Sequence, residues 1–233
     1  MSSLSFRFRQ FEIYHDRCAM KVGTDGVLLG AWIKSGKAKR ILDVGTGSGL
    51  IAVILAQHST AAIDGVECDK DAAKQAKENV IACPWPERVQ IFEQDFKNYS
   101  NGFYDLIVSN PPYFRNSLKA PMKSRNMARH ADTLSYETFI EKSAQMLNPD
   151  GRLAVILPYE SENDFEDYCW QHKLYLNRYC EISSIEGQSP KRILLEFSFH
   201  HSAIERTSLS IYTREHKTTK EFSILTSDLY LDK

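Results

Sequence analysis

From residue 40 onward, short apolar runs alternate with longer segments, several of which repeat apolar residues every three or four positions. Short runs rich in branched residues predict buried strands, and the longer spacing predicts helices. The predicted strands cover residues 40–44, 61–67, 89–92, 104–109, 152–157, 174–183 and 192–200. The predicted helices cover residues 50–57, 70–83, 135–147 and 161–173. This alternation indicates an α/β fold in which a mostly parallel sheet is covered by helices on both faces.

The first 38 residues follow a different pattern. Apolar and basic residues alternate at positions 6–9, and the polar pair His15-Asp16 predicts a turn that folds this region into a hairpin. A short helix is expected within residues 25–35. We therefore expect an N-terminal hairpin segment at residues 1–38 and the main α/β domain at residues 39–233, together forming one compact unit.

The composition is that of a globular protein, with 42% hydrophobic and 25% charged residues in 233. The 29 lysines and arginines and the 30 aspartates and glutamates give a net charge of −1. Because no overall positive field exists, any contact with nucleic acid must come from a local basic patch.

Neither the apolar runs nor the cysteines indicate a membrane or metal-binding protein. The longest apolar runs, residues 27–33 and 50–56, are seven residues long, whereas a spanning helix needs about 20. Residues 1–10 show no secretory signal, so we expect a cytoplasmic protein. The five cysteines include no C-x-x-C pair, which favours reduced thiols without a disulfide framework or a zinc site.

Polar residues follow four of the predicted strands, where ligands of parallel sheets bind. They are Asp43 with the loop Gly45-Thr46-Gly47-Ser48-Gly49, then Glu67, Asp95 and Asn110. The loop lacks the final glycine of a dinucleotide fingerprint because Leu50 stands there, and no P-loop lysine follows. Asp43 would repel a pyrophosphate and attract a cation, while Glu67 could accept from two ribose hydroxyls. Together these groups indicate a cationic ligand that carries adenosine.

The segment Ile41-Leu42-Asp43-Val44-Gly45-Thr46-Gly47-Ser48-Gly49 resembles the first motif of class I S-adenosylmethionine-dependent methyltransferases. The resemblance covers most of residues 39–200. It implies a Rossmann-like, mostly parallel seven-stranded sheet with an antiparallel last strand, and S-adenosyl-L-methionine as cofactor. The implied cofactor contacts are Asp43, Gly45, Thr46, Gly47, Gly49, Glu67, Cys68, Asp95, Phe96 and Asn110.

The tetrapeptide Asn110-Pro111-Pro112-Tyr113 follows the fourth predicted strand. Proline lacks a backbone donor, so an amide oxygen and nearby carbonyl oxygens form acceptors suited to an –NH2 group. The tetrapeptide resembles the signature of amino-group methyltransferases, whose targets are the exocyclic amines of adenine, cytosine or guanine and the glutamine amide. In that family these four residues hold the reacting amine and its flat base.

A basic segment, residues 115–130, follows directly and contains no acidic residue. Its length and charge favour contacts with RNA phosphates. The candidate contacts are Arg115, Lys119, Lys123, Arg125, Arg129 and His130.

The N-terminal stretch His15-Asp16-Arg17-Cys18-Ala19-Met20-Lys21-Val22-Gly23-Thr24-Asp25-Gly26, with Ala128-Arg129-His130 and the tail around residues 221–231, closely resembles the bacterial tRNA(Val) adenine-N6 methyltransferases. The resemblance implies that Lys21, Thr24 and Asp25 cap the cofactor. It also implies methylation of adenosine 37, 3′ of the anticodon of a valine tRNA, with no obligate protein partner. Three alternatives stay open: a release-factor glutamine methyltransferase, a guanine rRNA methyltransferase, and a non-catalytic RNA adaptor that binds the cofactor.

Overall fold

The computed structural model describes residues 4–111 and 134–231. The strands are β1 (Ser5–Arg7), β2 (Glu12–Tyr14), β3 (Arg40–Val44), β4 (Ala62–Glu67), β5 (Val89–Glu93), β6 (Tyr104–Ser109), β7 (Leu147–Pro158), β8 (Tyr175–Ile185), β9 (Arg192–Ser198) and β10 (Glu205–Tyr212). The helices are α1 (Thr24–Trp32), α2 (Leu50–His58), α3 (Lys70–Ala82), α4 (Tyr136–Met146), α5 (Glu162–Gln171) and α6 (Lys220–Leu225). Short 3-10 turns occupy Pro86–Arg88, Phe96–Asn98 and Tyr159–Ser161.

Strands β3 to β10 form one sheet in the order β10-β8-β9-β7-β6-β3-β4-β5. Strands β3, β4, β5, β6 and β7 are parallel, and β9 runs antiparallel to both β7 and β8. All seven predicted strands are therefore present, and the last of them, β9, is antiparallel as predicted. The sheet has one strand more than predicted, because β10 adds parallel to β8. Among the residues of β10 only Leu209 is buried, so this edge strand lacks the apolar run that identifies the others.

Alternate residues of each central strand enter two hydrophobic layers, as the period of two in a strand requires. Ile41 of β3 packs among the apolar residues of α1, α2 and α3, whereas Leu42 packs on the other face against α4 and α5. The helical cover on both faces is thereby confirmed.

The N-terminal hairpin forms, but its predicted turn was wrong. Strand β1 pairs with β2 across residues 8–11, where the Phe8 backbone N–H donates to the Phe11 carbonyl at 2.8 Å. Phe8 and Phe11 are buried with their rings stacked 4.7 Å apart, so the apolar pair turns inward while His15 and Asp16 lie beyond the hairpin. Burial of the two rings stabilises this turn more than the polar pair would.

Two helix ends also differ in detail from the sequence pattern. Strand β7 begins at Leu147, before the predicted 152, so the Asn148-Pro149 pair lies within a strand. Helix α5 begins at Glu162, one residue after the predicted start at 161, and the Ser161 side chain makes no capping hydrogen bond.

Candidate active site

The carboxyl ends of β3, β4 and β6 meet at one point of the sheet. Val44 is in register with Val66 of β4 on one side and with Ser109 of β6 on the other. The chain leaves β3 toward β4 and later returns to β6, so the strand order reverses beside β3. Such a reversal opens a crevice where α/β proteins bind ligands. Asp43, Glu67 and Asn110 all lie at this crevice.

The loop between β3 and α2 depends on three glycines in the left-handed region. Gly45, Gly47 and Gly49 have φ values of 69°, 55° and 83°. Other residues rarely adopt this conformation, so the alternating glycines are required by the turn itself. The loop is tied to β4 because the Gly45 and Thr46 N–H groups both donate to the Val66 carbonyl, at 2.9 and 3.1 Å.

Asp43 is completely buried at the base of this loop. Its Oδ2 accepts hydrogen bonds from Thr46 Oγ1 at 2.6 Å and from the Ala52 backbone N–H at 3.1 Å. Its Oδ1 has no partner among the described residues. Burial, with a smaller contribution from the nearby Glu67, raises the pKa of Asp43 to about 7, although its two hydrogen bonds lower it.

Glu67 and Asp95 stand at the ends of β4 and β5. Glu67 accepts from the Gly47 N–H at 2.9 Å through Oε2 and from the Asp69 N–H at 2.9 Å through Oε1, which orients its carboxylate beside the glycine loop. Asp95 caps the turn that follows it by accepting from the Lys97 N–H at 2.8 Å.

Two predicted neighbours of these acids differ in exposure. Cys68 is exposed, with its Sγ 3.6 Å from Glu67 Oε1, and partial burial raises the pKa of its thiol. The Phe96 side chain is buried and its ring lies 5.9 Å from that of Phe139. Any contact of Phe96 with a cofactor must therefore come from its backbone.

Asn110 follows β6 directly, and its amide oxygen is buried and has no partner among the described residues. The preceding Ser109 donates through its hydroxyl to the Val44 carbonyl at 2.8 Å, which ties the end of β6 to β3. Pro111 is buried next to Asn110. Two candidate acceptors, Asp43 Oδ1 and Asn110 Oδ1, are thus buried at neighbouring strand ends.

Several predicted site residues lie outside the described residues. They are Pro112, Tyr113, Arg115, Lys119, Lys123, Arg125, Arg129 and His130.

The three predicted capping residues lie before and within the first turn of α1. Lys21 and Thr24 are exposed. Asp25 is half-buried and accepts from Arg192 Nε of β9 at 2.8 Å. No pattern in the sequence indicates this ion pair, because its partners are 167 residues apart.

Helix α3 supplies two buried polar side chains that the sequence analysis missed. Asn79 donates to the carbonyls of Tyr14 and Ser48, both at 2.8 Å, and accepts from the Tyr14 N–H at 3.0 Å. Gln75 donates to Asp16 at 2.6 Å and accepts from the Arg17 N–H at 3.0 Å. The helix therefore joins the N-terminal segment to the glycine loop. A polar residue on the buried face of an amphipathic helix is the sequence signal that could have indicated this role.

Within residues 4–111 and 134–231, no helix has the length and apolar character needed to cross a membrane. The same residues place no three His, Cys, Asp or Glu side chains where they could bind a metal ion.

A family model described as the methyltransferase small domain matches residues 18–163. The tRNA1(Val) (adenine(37)-N6)-methyltransferase of Parabacteroides distasonis is 44% identical over 235 residues, with 99% of each chain covered. The chain belongs to this methyltransferase family. The enzyme of the same name from Bacteroides fragilis is 43% identical, again over 99% of each chain. Among solved structures, a predicted O-methyltransferase from Agrobacterium tumefaciens is similar in fold, with a TM-score of 0.69 at 17% identity over 88% of this chain and 96% of that one.

The cofactor of this methyltransferase is S-adenosylmethionine. The described residues fit that group, because it presents an ammonium and ribose hydroxyls as donors, and the crevice presents acceptors. Asp43 Oδ1 is a buried acceptor without a protein donor, and Glu67 is held at the neighbouring strand end.

Proposed function

We propose that this methyltransferase transfers the methyl group of S-adenosylmethionine to the N6 amine of adenosine 37 in a valine tRNA. The observation that carries the proposal is the buried amide oxygen of Asn110, which has no partner among the described residues and lies one strand from the cofactor loop. A buried acceptor at this place suits a substrate that brings its own N–H donors. The names of the two relatives support adenine in a tRNA as that substrate.

The cofactor is proposed to lie along the ends of β3, β4 and β5. Glu67 would accept from its ribose hydroxyls and Asp95 from its adenine amine, while Asp43 faces the methionine portion. The remaining proposed contacts are Gly45, Thr46, Gly47, Gly49, Cys68, the Phe96 backbone and Asn110, with Lys21, Thr24 and Asp25 as the cap.

When bound, the cofactor supplies a methyl group on a positively charged sulphur, and the carbon–sulphur bond breaks as the new nitrogen–carbon bond forms. The amine of adenine is a poor nucleophile because its lone pair is delocalised into the ring. Asn110 Oδ1 and the Pro111 carbonyl would accept its two N–H groups, which localises the lone pair and aims it at the methyl group. Charge is dispersed along this path, so a buried site suits the reaction without a strong general base. The methylated nitrogen would then carry the positive charge and release one proton to solvent, which leaves the neutral N6-methyl amine and the uncharged thioether of the spent cofactor.

The tRNA is proposed to be held by residues outside the described part of the chain. Pro112 and Tyr113 would complete the base pocket, with the Tyr113 ring stacked on adenine. Arg115, Lys119, Lys123, Arg125, Arg129 and His130 would contact phosphates. A tRNA substrate would place the enzyme in the cytoplasm.

The test is methyl transfer from labelled S-adenosylmethionine to an unmodified valine tRNA transcript, followed by nucleoside analysis. The matched control is the same transcript with guanosine at position 37, and ribosomal RNA and release factor serve as further substrates. We expect N6-methyladenosine from the first transcript alone. Label in N2-methylguanosine or in methylglutamine, or binding without any transfer, would contradict the proposal and favour one of the three alternatives.

A further inference from the structure

The sheet edge that holds the active site has an acidic half. Exposed or half-buried carboxylates end or follow β4 and β5 on the side where the cofactor is proposed to lie. They are Glu67, Asp69, Asp71, Glu93 and Asp95. Lys70 and Lys97 lie among these five carboxylates, and Lys97 is 3.8 Å from Asp95, so the net charge of this half is still negative. Because RNA carries a negative charge at every phosphate, this half of the edge disfavours an RNA backbone.

Two tight turns stand at the other half of the same edge. We name them the paired turns: residues 186–191, which join β8 to β9, and residues 213–217, which follow β10. They lie against each other, since the Glu186 N–H donates to the Tyr212 carbonyl at 2.9 Å. A Cβ placed on Gly187 would lie 3.0 Å from Arg214 Nη2.

The backbone of the paired turns is closely restrained. Thr213 and Lys217 are joined by an N–H to carbonyl bond of 2.7 Å, and His216 between them has a left-handed φ of 59°. In the other turn, the Lys191 N–H donates to the Ile182 carbonyl at 2.8 Å. The backbone atoms that carry the side chains of these turns therefore have fixed positions.

Three cations of the paired turns are exposed: Lys191, Arg214 and Lys217. Within the described ranges, none of the three forms an ion pair with a carboxylate. The neighbouring Arg192 differs, because it pairs with Asp25. Glu186 and Glu215 lie in the same turns, so binding there depends on individual cations and not on a uniform positive field.

We propose that the paired turns bind backbone phosphates of the tRNA anticodon arm while Asn110 holds the reacting base. This inference rests on the proposed function. Strands β8 and β10 lie three and four strands from β6. At about 4.8 Å per strand the turns stand roughly 14–19 Å from the reacting site. An RNA arm that places its base in the reacting site can have phosphates at this distance from it. Because the other half of the edge is acidic, the arm is expected to lie on the side of the paired turns.

The experiment compares two triple variants that lose the same charge. Lys191→Ala/Arg214→Ala/Lys217→Ala removes the cations of the paired turns. Lys70→Ala/Lys74→Ala/Lys77→Ala removes three exposed lysines of α3, beside the acidic half. The dissociation constant of the valine tRNA transcript is measured for each variant between 50 and 200 mM salt.

We expect the paired-turn variant to lower the log–log salt slope by about 2–3, because three phosphate contacts are lost. The α3 variant should keep the wild-type slope. The pair Lys191→Ala/Lys217→Ala, which leaves Arg214 beside Gly187, should lower the slope by about 1.5 and serves if the triple variant folds poorly. A wild-type slope in both paired-turn variants, or an equal loss in the α3 variant, would overturn the proposal.

Two further readouts separate this inference from the proposed function. Cofactor affinity, measured by calorimetry, should be the same in all variants. If the wild-type enzyme methylates another group but the paired-turn variants have a lower salt slope than the wild type, the proposed function fails and the RNA surface stands. If adenosine 37 is methylated and the slope does not change, the RNA surface alone fails.

Discussion

Asp43 and Asn110 show how single side chains divide the chemistry of the site. Each buries one oxygen that lacks a donor among the described residues, and they lie at the ends of adjacent strands. Asp43 is charged when ionised and suits a cation, whereas the neutral amide of Asn110 suits an amine that must keep its lone pair available. The two acceptors therefore select different donors in the same crevice.

Asn110→Ala is expected to lower kcat and kcat/KM by similar factors, on the order of a hundredfold. The reason is that the lost hydrogen bond orients the amine mainly in the transition state. Cofactor affinity should change little. Asn110→Asp, which keeps an acceptor oxygen, should retain more activity than the alanine variant. Steady-state kinetics on tRNA would check both, and near-wild-type N6-methyladenosine formation by Asn110→Ala would contradict the mechanism.

Because the pKa of Asp43 is raised, we expect cofactor binding to weaken in mild acid. Its pKa is raised to about 7, so the carboxylate that attracts a cationic cofactor is lost as the pH falls below 7. The affinity for S-adenosylmethionine should decrease roughly tenfold for each pH unit well below 7 and reach a plateau above 7. Calorimetry between pH 5.5 and 7.5 measures this, with Asp43→Asn as the control that should bind weakly at every pH. A constant wild-type affinity over that range would exclude Asp43 as the titrating group.

At the level of elements, α3 both covers the sheet and positions the N-terminal segment. Its apolar residues Ala73, Ala76 and Val80 enter the core, while Gln75 and Asn79 bond to the backbone on either side of it. One helix thereby fixes the distance between the glycine loop and the segment that leads to Asp25.

Asn79→Ala should destabilise the protein by about 1–3 kcal/mol, because it leaves the buried Ser48 carbonyl and the part-buried backbone of Tyr14 without their partner. It should also weaken cofactor binding, since both sides of the proposed pocket lose their common anchor. The matched control is Glu78→Ala on the same helix, which breaks an exposed ion pair with Arg17 and should leave both properties unchanged. Urea unfolding and calorimetry provide the measurements, and an unchanged cofactor affinity in Asn79→Ala would limit this residue to a structural role.

The sequence predicted the elements whose buried residues form a regular apolar pattern. It missed those whose position depends on contacts with distant parts of the chain. Strand β6 has the apolar run Leu106-Ile107-Val108 at its centre, so it could be recognised directly. Strand β10 buries only Leu209, and the true hairpin turn depends on Phe8 and Phe11 entering a core that the rest of the chain builds. The strand-end acids follow from the fold pattern, whereas the pairing of Arg192 with Asp25 depends on the register of β9 beside β7.

On the scale of the whole molecule, the N-terminal hairpin and the C-terminal tail close one face together. Phe8 stacks on Phe11 and lies 6.0 Å from the ring of Tyr230. His58 of α2 pairs with Asp228 of the tail at 2.6 Å. Hairpin, helix and tail thus share one hydrophobic layer, although they come from distant parts of the chain.

Phe8→Ala should therefore destabilise the entire protein and not the hairpin alone. We expect a loss of about 3–5 kcal/mol, the usual cost of removing a fully buried phenylalanine side chain. Fluorescence and far-UV circular dichroism should report one common unfolding transition. Phe6→Ala is the control, because this ring is 37% exposed and its loss should cost at most about 1 kcal/mol. An early, separate transition of the hairpin would contradict a single compact unit.

The bond between Arg9 and the Tyr230 carbonyl joins residues 221 positions apart, and this separation has a consequence for the time course of synthesis. A ribosome adds about 5–20 residues per second. Tyr230 is therefore synthesised roughly 10–45 s after Arg9, whereas Asn79 becomes available to Tyr14 much earlier. During that interval the hairpin is anchored to α3 on one side only, and the Phe8 ring lacks its contact with Tyr230. The part of the chain made first is completed last, so protection of the Phe8 ring reports the end of folding.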